Sequence, residues 1–319
     1  MATVVIGPDG AQASHYAPNS KQRRPLALRP VGTFEPDGDS RGGTDGQDAR
    51  QVLALGAAGN AVLRDLVVGV VGLGGLGSHV STQLSHLGVR RIVGVDFDRV
   101  EPSNLSRLVG SRRRDALLRR RKTAVGHRVA RRLGAGFKPI NGRVEDPAVA
   151  RELLECDVVV GCTDNQSSRA VLNRLALQFY VPVLDLGVQI RPGGSSGGRA
   201  TWLLPDSPCE WCRGILDPDV VRAEQLPAHL REVELERGYI ADMPVDQPAV
   251  VSVNGVVASL GVTELVARCT TALGDNRGEM LVYRLGDGTV RRVGAASRRD
   301  CATCNPSGNL GAGDLVELL

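Results

Sequence analysis

VVGLGGLGSH, Val70 to His79, closes a short apolar run with four glycines and a polar end. The run reads as a buried strand over 67–73, and the residues after the glycines as a helix over 78–88 with Ser78 near its cap. Gly72, Gly74 and Gly77 satisfy the spacing G-x-G-x-x-G, and Gly75 adds a fourth glycine. In that spacing the first glycine makes a tight turn, the second lets a phosphate approach the backbone, and the last permits close packing of helix on strand. Free N–H groups at the helix start, together with the helix dipole, then favour negative charge. Asp96 lies 19 residues beyond Gly77, where an acid accepts hydrogen bonds from a ribose hydroxyl. Alone, these features suit a nicotinamide dinucleotide as well as ATP.

The same texture repeats along the chain. RRIVGVDFD (90–98), DVVVGCTDN (157–165) and VPVLDLGV (181–188) are apolar strands, and helices are expected over about 47–64, 114–133 and along SSRAVLNRLALQF. Strands alternating with helices predict an α/β fold, a Rossmann-like doubly wound and mainly parallel sheet. Beyond residue 190 the texture changes. RPGGSSGGRATWLLP and MLVYRLGDGTVRRV read as antiparallel strands that extend the sheet, and 252–273 as a long helix containing two glycines. Residues 1–46, rich in Gly, Pro, Asp, Ser and Arg without a sustained period, are expected to be a flexible N-terminal arm. The domain proper then covers 47–319, with a nucleotide-binding half at about 65–190 and a substrate and zinc half at about 191–310.

Composition sets bounds on the class. Hydrophobic residues make up 42% and charged residues 23% of the 319, ordinary values for a globular protein. No uninterrupted apolar run reaches the ~18–20 residues that span a bilayer. The N-terminus lacks the basic-then-apolar layout of a secretory signal, so a cytoplasmic protein with no membrane partner is expected. The net charge of +4 conceals an asymmetry: residues 107–132 hold ten Arg, one Lys and one Asp, which leaves the remaining chain at −6. The run SRRRDALLRRRK resembles a nucleic-acid-binding helix in isolation. One basic segment in an otherwise acidic chain fits a local anionic ligand or a solvated face better than general nucleic-acid affinity, so no nucleic-acid partner is expected. Cys209 with Cys212 and Cys301 with Cys304 form two C-x-x-C pairs, 89 residues apart. Four thiolates so arranged suit a tetrahedral structural Zn2+; a thioredoxin-like redox pair is the competing reading.

The residues after Asp96 separate the two nucleotides. DFDRVEPSNLSR places Asp98, Asn104 and Arg107 beyond the strand end, Lys122 comes 15 residues after Arg107, and CTDNQSSR puts Asp164 at the end of the next strand. Two cations, an amide and spare carboxylates around one crevice suit a triphosphate with Mg2+. Asp98 is also readable as a strand-end cap, and Asn165 and Arg169 as a helix-start and packing pair.

With these residues in place, the chain resembles the ThiF/MoeB/HesA family of ubiquitin-activating-type adenylyltransferases. The resemblance rests on Arg50 and Gln51, on GLGGLGS, DFDRVEPSNLSR, the lysine of KTA and CTDNQSSR, and on the two cysteine pairs, all in family order over about 47–310. It implies that ATP is bound by Gly72, Gly74, Gly75, Gly77, Asp96 and Asp98. Asn104, Arg107 and Lys122 are implied to contact the phosphates, Asp164 to hold Mg2+, and Arg50 to reach the ATP of a second subunit in a homodimer. The implied reaction forms an acyl-adenylate on the C-terminal carboxylate of a small ubiquitin-like or sulfur-carrier protein, with a Gly-Gly end, and releases pyrophosphate. A ribosomal peptide or small-molecule carboxylate is the alternative substrate, and a non-catalytic nucleotide-binding scaffold is the non-enzymatic one. Two departures stand out: Leu108 replaces the usual glutamine after Arg107, and the segment from Arg107 to Lys122 is about two residues longer than usual and much more basic. Residues 213–250, where several relatives carry a thioester cysteine, contain none, so no in-chain thioester is expected.

Overall fold

The computed structural model describes residues 2–7, 10–16, 23–26 and 48–318, except 192–193, 206, 228, 232, 234–247, 271, 275–277 and 306. The chain divides into two units, Met1–Glu35 and Pro36–Leu319. In the first, β1 (Ala2–Gly7), β2 (Gly10–Tyr16) and β3 (Arg23–Leu26) form an antiparallel sheet in the order β1-β2-β3. The N-terminal arm expected over 1–46 thus includes three strands within residues 2–26. Gly7 opposite Gly10 leaves two residues to join the first pair of strands, and such a tight hairpin needs little apolar patterning. Residues 27–47 lie outside the described residues.

In the second unit, α1 (Ala49–Asp65) leads into β4 (Val67–Val71), whose five residues are all buried. There follow α2 (Gly75–His86), β5 (Arg91–Val95), α3 (Arg113–Leu117), α4 (Lys122–Arg132), β6 (Gly136–Ile140) and α5 (Pro147–Glu152). Next come β7 (Val158–Gly161), α6 (Gln166–Gln178), β8 (Val183–Gln189), β9 (Gly197–Leu203) and α7 (Pro218–Gln225). The unit ends with α8 (Val251–Thr270), β10 (Met280–Arg284) and β11 (Thr289–Arg292). The sheet order is β11-β10-β9-β8-β7-β4-β5-β6. Pairings from β8 through β7, β4 and β5 to β6 are parallel, and those from β8 outward to β11 are antiparallel. This is the expected architecture. Val67, Val71, Val159, Leu172 and Leu175 form part of the core under α6. On the opposite face α8 packs against α1, α2, β8 and β9. By length and composition α8 alone among the described helices is apolar enough to cross a membrane; its apolar side is buried against this sheet.

Three local differences from the sequence reading have physical causes. The helix expected over 114–133 is two helices, because Val100 N–H donates to the Arg120 carbonyl at 2.8 Å and Lys122 N–H to the Asp98 carbonyl at 3.1 Å. Those bonds draw the intervening residues beside 98–100 as extended chain, and Arg119 takes a φ of 43°. Helix α2 begins at Gly75 rather than Ser78: the Ser78 N–H already donates to the Gly74 carbonyl, and its hydroxyl accepts from Val109 N–H. Strand β6, sequence GFKPI, carries no alternating pattern, and its proline is tolerated because β6 is the sheet edge.

Candidate active site

A cleft of about 1000 Å³ opens at the carboxyl ends of β4, β5, β7 and β8, where open parallel sheets place their ligands. The glycine turn forms its floor. Gly72 has φ +86°, its N–H donates to the Val95 carbonyl at 2.9 Å, and a Cβ there would stand 2.7 Å from the Cys162 carbonyl oxygen. A Cβ on Gly77 would overlap the Gly72 carbonyl. These two glycines press β4, α2 and the end of β7 together, leaving Gly74 and Gly75 to face the cleft.

Of the residues singled out in the sequence, Gly72, Gly74, Gly75, Asp96, Asp98, Asn104, Arg107, Lys122 and Asp164 line this one cleft. Gly77 lies beneath it. Arg50 is on the exposed side of α1 and does not line it, while Gln51 beside it donates to Asn60 Oδ1 and the Leu87 carbonyl. Asp96 is buried, and its oxygens accept from Leu73 N–H and Asp98 N–H, each at 2.7 Å. Burial pushes its carboxyl above the usual range, against the pull of Lys122 and those two N–H groups. Lys122 Nζ meets Asp98 Oδ2 at 2.7 Å, so Asp98 does more than end a strand. Asn104 Oδ1 accepts from Glu101 N–H and fixes a short turn, from which Arg107 extends over Gly75 with Nη1 bonded to the Ser103 carbonyl at 2.9 Å. Leu108, the departure from the family pattern, is buried with Val100, Ala116 and Val125, which explains an apolar residue there.

On the opposite rim, Asp164 is exposed at the start of the turn into α6. Asn165 caps that helix by accepting from Ser168 N–H at 2.7 Å, and Arg169 donates to the Thr163 carbonyl. Both therefore hold the Asp164 turn in place. Glu145 accepts from the Ser167 and Ser168 hydroxyls, and Glu224 accepts from Ser167 N–H; both line the cleft near Asp164 and were missed in the sequence. No spacing signals them, since they come from separate loops and α7. Phe97, under the Arg143 guanidinium at 3.7 Å, and Asn254 from α8 were missed for the same reason.

The basic segment is largely tied down. Arg128 and Arg120 reach the buried Asp115, at 2.6 and 3.7 Å, and Arg121 donates to the Phe97 carbonyl. The Arg128 hydrogen bond holds the Asp115 carboxyl below its usual range, against burial. Cys162 faces the cleft, but burial pushes its thiol far up, and Cys269 is raised to about 12 by burial; neither has the character of an accessible thiolate.

Below the cleft, Sγ of Cys209 and Cys301 are 3.5 Å apart and those of Cys212 and Cys304 3.6 Å, with all four sulfurs within 4.8 Å of one another. Four sulfurs each ~2.3 Å from one ion are separated by just such distances, so the tetrad can hold Zn2+. Glu210, inside the first pair, meets Arg199 of β9 at 3.2 Å, and Arg199 meets Asp185 of β8 at 2.7 Å. Burial and the Asp185 carboxylate push Glu210 up to about 8.

The ThiF family model matches residues 49–304. The SAMP-activating enzyme E1 of Haloferax volcanii is 27% identical over 254 residues, 80% of this chain and 86% of that protein. Molybdopterin-synthase adenylyltransferase of Escherichia coli is 34% identical over 149 residues, 46% of this chain and 59% of the relative. The crystal structure of Escherichia coli MccB with AMPCPP and MccA superposes with a TM-score of 0.63 at 16% identity, over 83% of this chain and 75% of that one, and shares the fold. With the family match spanning the glycine turn, the cleft and both cysteine pairs, the chain belongs to the ThiF family.

Proposed function

We propose that the chain is an ATP- and Mg2+-dependent adenylyltransferase that activates the C-terminal carboxylate of a small ubiquitin-like sulfur carrier as its acyl-adenylate. The observation that carries this reading is the meeting of Asp96, Arg107, Lys122 and Asp164 around the glycine turn in one cleft. The names of the relatives point the same way: one is a SAMP-activating E1, another a molybdopterin-synthase adenylyltransferase. In this reading Asp96 accepts from the ribose and Asn104 and Arg107 bind phosphate. Lys122 leaves Asp98 to offset charge on the α-phosphoryl group as the carboxylate attacks in line. Asp164, near Glu145 and Glu224, holds Mg2+. The attacking carboxylate is already ionised, so catalysis is positioning and charge stabilisation, without a general base. Arg50, exposed on α1, is free to serve the cleft of a second copy in a homodimer. The cysteine tetrad holds a structural Zn2+, and no cysteine of the chain takes the acyl group.

ATP–pyrophosphate exchange tests the reading. Exchange is expected on adding a Gly-Gly-ended carrier and is lost when the carrier ends in an amide. No exchange with any Gly-Gly-ended carrier overturns it in favour of the second reading, adenylation of a peptide, which the structural likeness to MccB bound to MccA supports.

A further inference from the structure

Asn254 stands out among the residues that the sequence does not signal. It is 5% exposed, one turn into α8, and its side chain lines the cleft. A Cβ on Gly75 would run into Asn254 Nδ2 and would lie 3.3 Å from Arg107 Cδ, so the amide and the guanidinium stem share the space above one glycine. Among the described residues the Asn254 side chain has no hydrogen-bond partner. Its polar atoms are not among those shut away from solvent without a partner, so the amide is open to the cleft and to whatever binds there.

The surroundings specify the ligand. Asn254 and Arg107 both bring donors to the turn, beside the first N–H groups of α2. The start of the 20-residue α8, with Pro248 and Ala249 on the same cleft, adds the positive end of a long helix dipole. The chain topology also gives a direction. Asp96 ends β5, on one side of β4, whereas α8 packs over β8 and β9, on the other side. A nucleotide whose ribose is at Asp96 therefore passes over the glycine turn before it reaches Asn254. We propose that Asn254 is a further binding residue, donating its amide N–H to the β- and γ-phosphates of ATP and holding the leaving pyrophosphate. This role rests on the adenylation reading of the cleft.

The test uses the full-length protein with Mg2+ and compares binding of α,β-methylene ATP with binding of AMP. Asn254→Ala is expected to weaken the triphosphate analogue about tenfold, the size of one hydrogen bond to a charged group, and to leave AMP within about twofold. Asn254→Asp, which sets a carboxylate against phosphate, is expected to weaken the analogue about a hundredfold. The melting temperature without ligand should be unchanged in Asn254→Ala, because the amide bonds none of the described residues, and Asn254→Gln should recover part of the affinity. Undiminished analogue binding by folded Asn254→Ala overturns the assignment, as does an equal loss for AMP. Wild-type protein that binds neither nucleotide overturns the adenylation reading itself, and the assignment with it.

Discussion

The Asp98–Lys122 and Asp185–Arg199 pairs both close to 2.7 Å, yet they sit in opposite settings. Asp98 is 44% exposed at the cleft, whereas Asp185 is 1% exposed and shares Arg199 with the fully buried Glu210. At the cleft, water and ligand can replace either partner, so the ion pair stores a cation in a position from which it can be transferred to phosphate. Asp185 and Glu210 are closed off from water, Arg199 and Arg169 hold Asp185 from the cleft side, and the contact serves to fasten β8, β9 and the first cysteine pair to one another. The chemistry of a pair is thus set less by its distance than by what else can reach it.

Mutations that separate the two settings should have effects in a definite order. Arg199→Ala removes the partner of the buried Glu210 and leaves Asp185 with Arg169 alone, at 3.5 Å, and should cost about 3–5 kcal/mol, read from the denaturant midpoint. A loss below 1 kcal/mol would mean that water already reaches the cluster. Lys122→Ala should do the reverse: stability within about 1 kcal/mol of wild type, because its partner is half in solvent, but a ~10²–10³-fold fall in the exchange rate. Arg128→Ala falls between them, with about 1–3 kcal/mol lost as Asp115 loses its main donor. Asp115 has its folded pKa depressed below the unfolded 3.8. Its contribution is therefore complete above that pH and disappears as pH falls through the lower folded value. Acid unfolding of Arg128→Ala should accordingly show a shallower dependence below pH 4 than wild type. Replacing Arg112, Arg113 and Arg114 together by Gln should have the smallest effect, within about 0.5 kcal/mol by thermal melting, since all three side chains are exposed and form no ion pair among the described residues.

The parts of the molecule that were legible in the sequence are those specified by local chain. Val67–Val71 with the glycines after it announces a strand, turn and helix because each feature lies within a few residues of the next. Asp96, Arg107, Lys122 and Asp164 were legible because strand ends of a parallel sheet converge at one edge, so residues just past them meet in space. The four cysteines announced their own contact by chemistry. The hidden parts depend on contacts between distant segments. Asn254 looks like any polar residue in an apolar helix until α8 is laid across Gly75. Glu145 and Glu224 belong to a loop and a short helix with no shared spacing. The split of the basic helix came from Val100 and Asp98 bonding to Arg120 and Lys122, a pairing that arginine-rich chain gives no sign of. The N-terminal strands were missed because Gly, Ser and Ala dilute their alternation.

The switch from parallel to antiparallel pairing at β8 also has a consequence for how the protein is made. Strand β9 ends at Leu203 and β10, its neighbour, begins 77 residues later at Met280. At ~5–20 residues per second, a ribosome needs roughly 4–15 s to deliver that partner. Through this interval β9 carries an open edge, and the first cysteine pair waits for the second. The nucleotide half, whose strands all precede β9, can be finished before the other half has its border. Slow codons or a stalled ribosome within residues 204–279 would lengthen the time in which nascent chains can pair edge to edge.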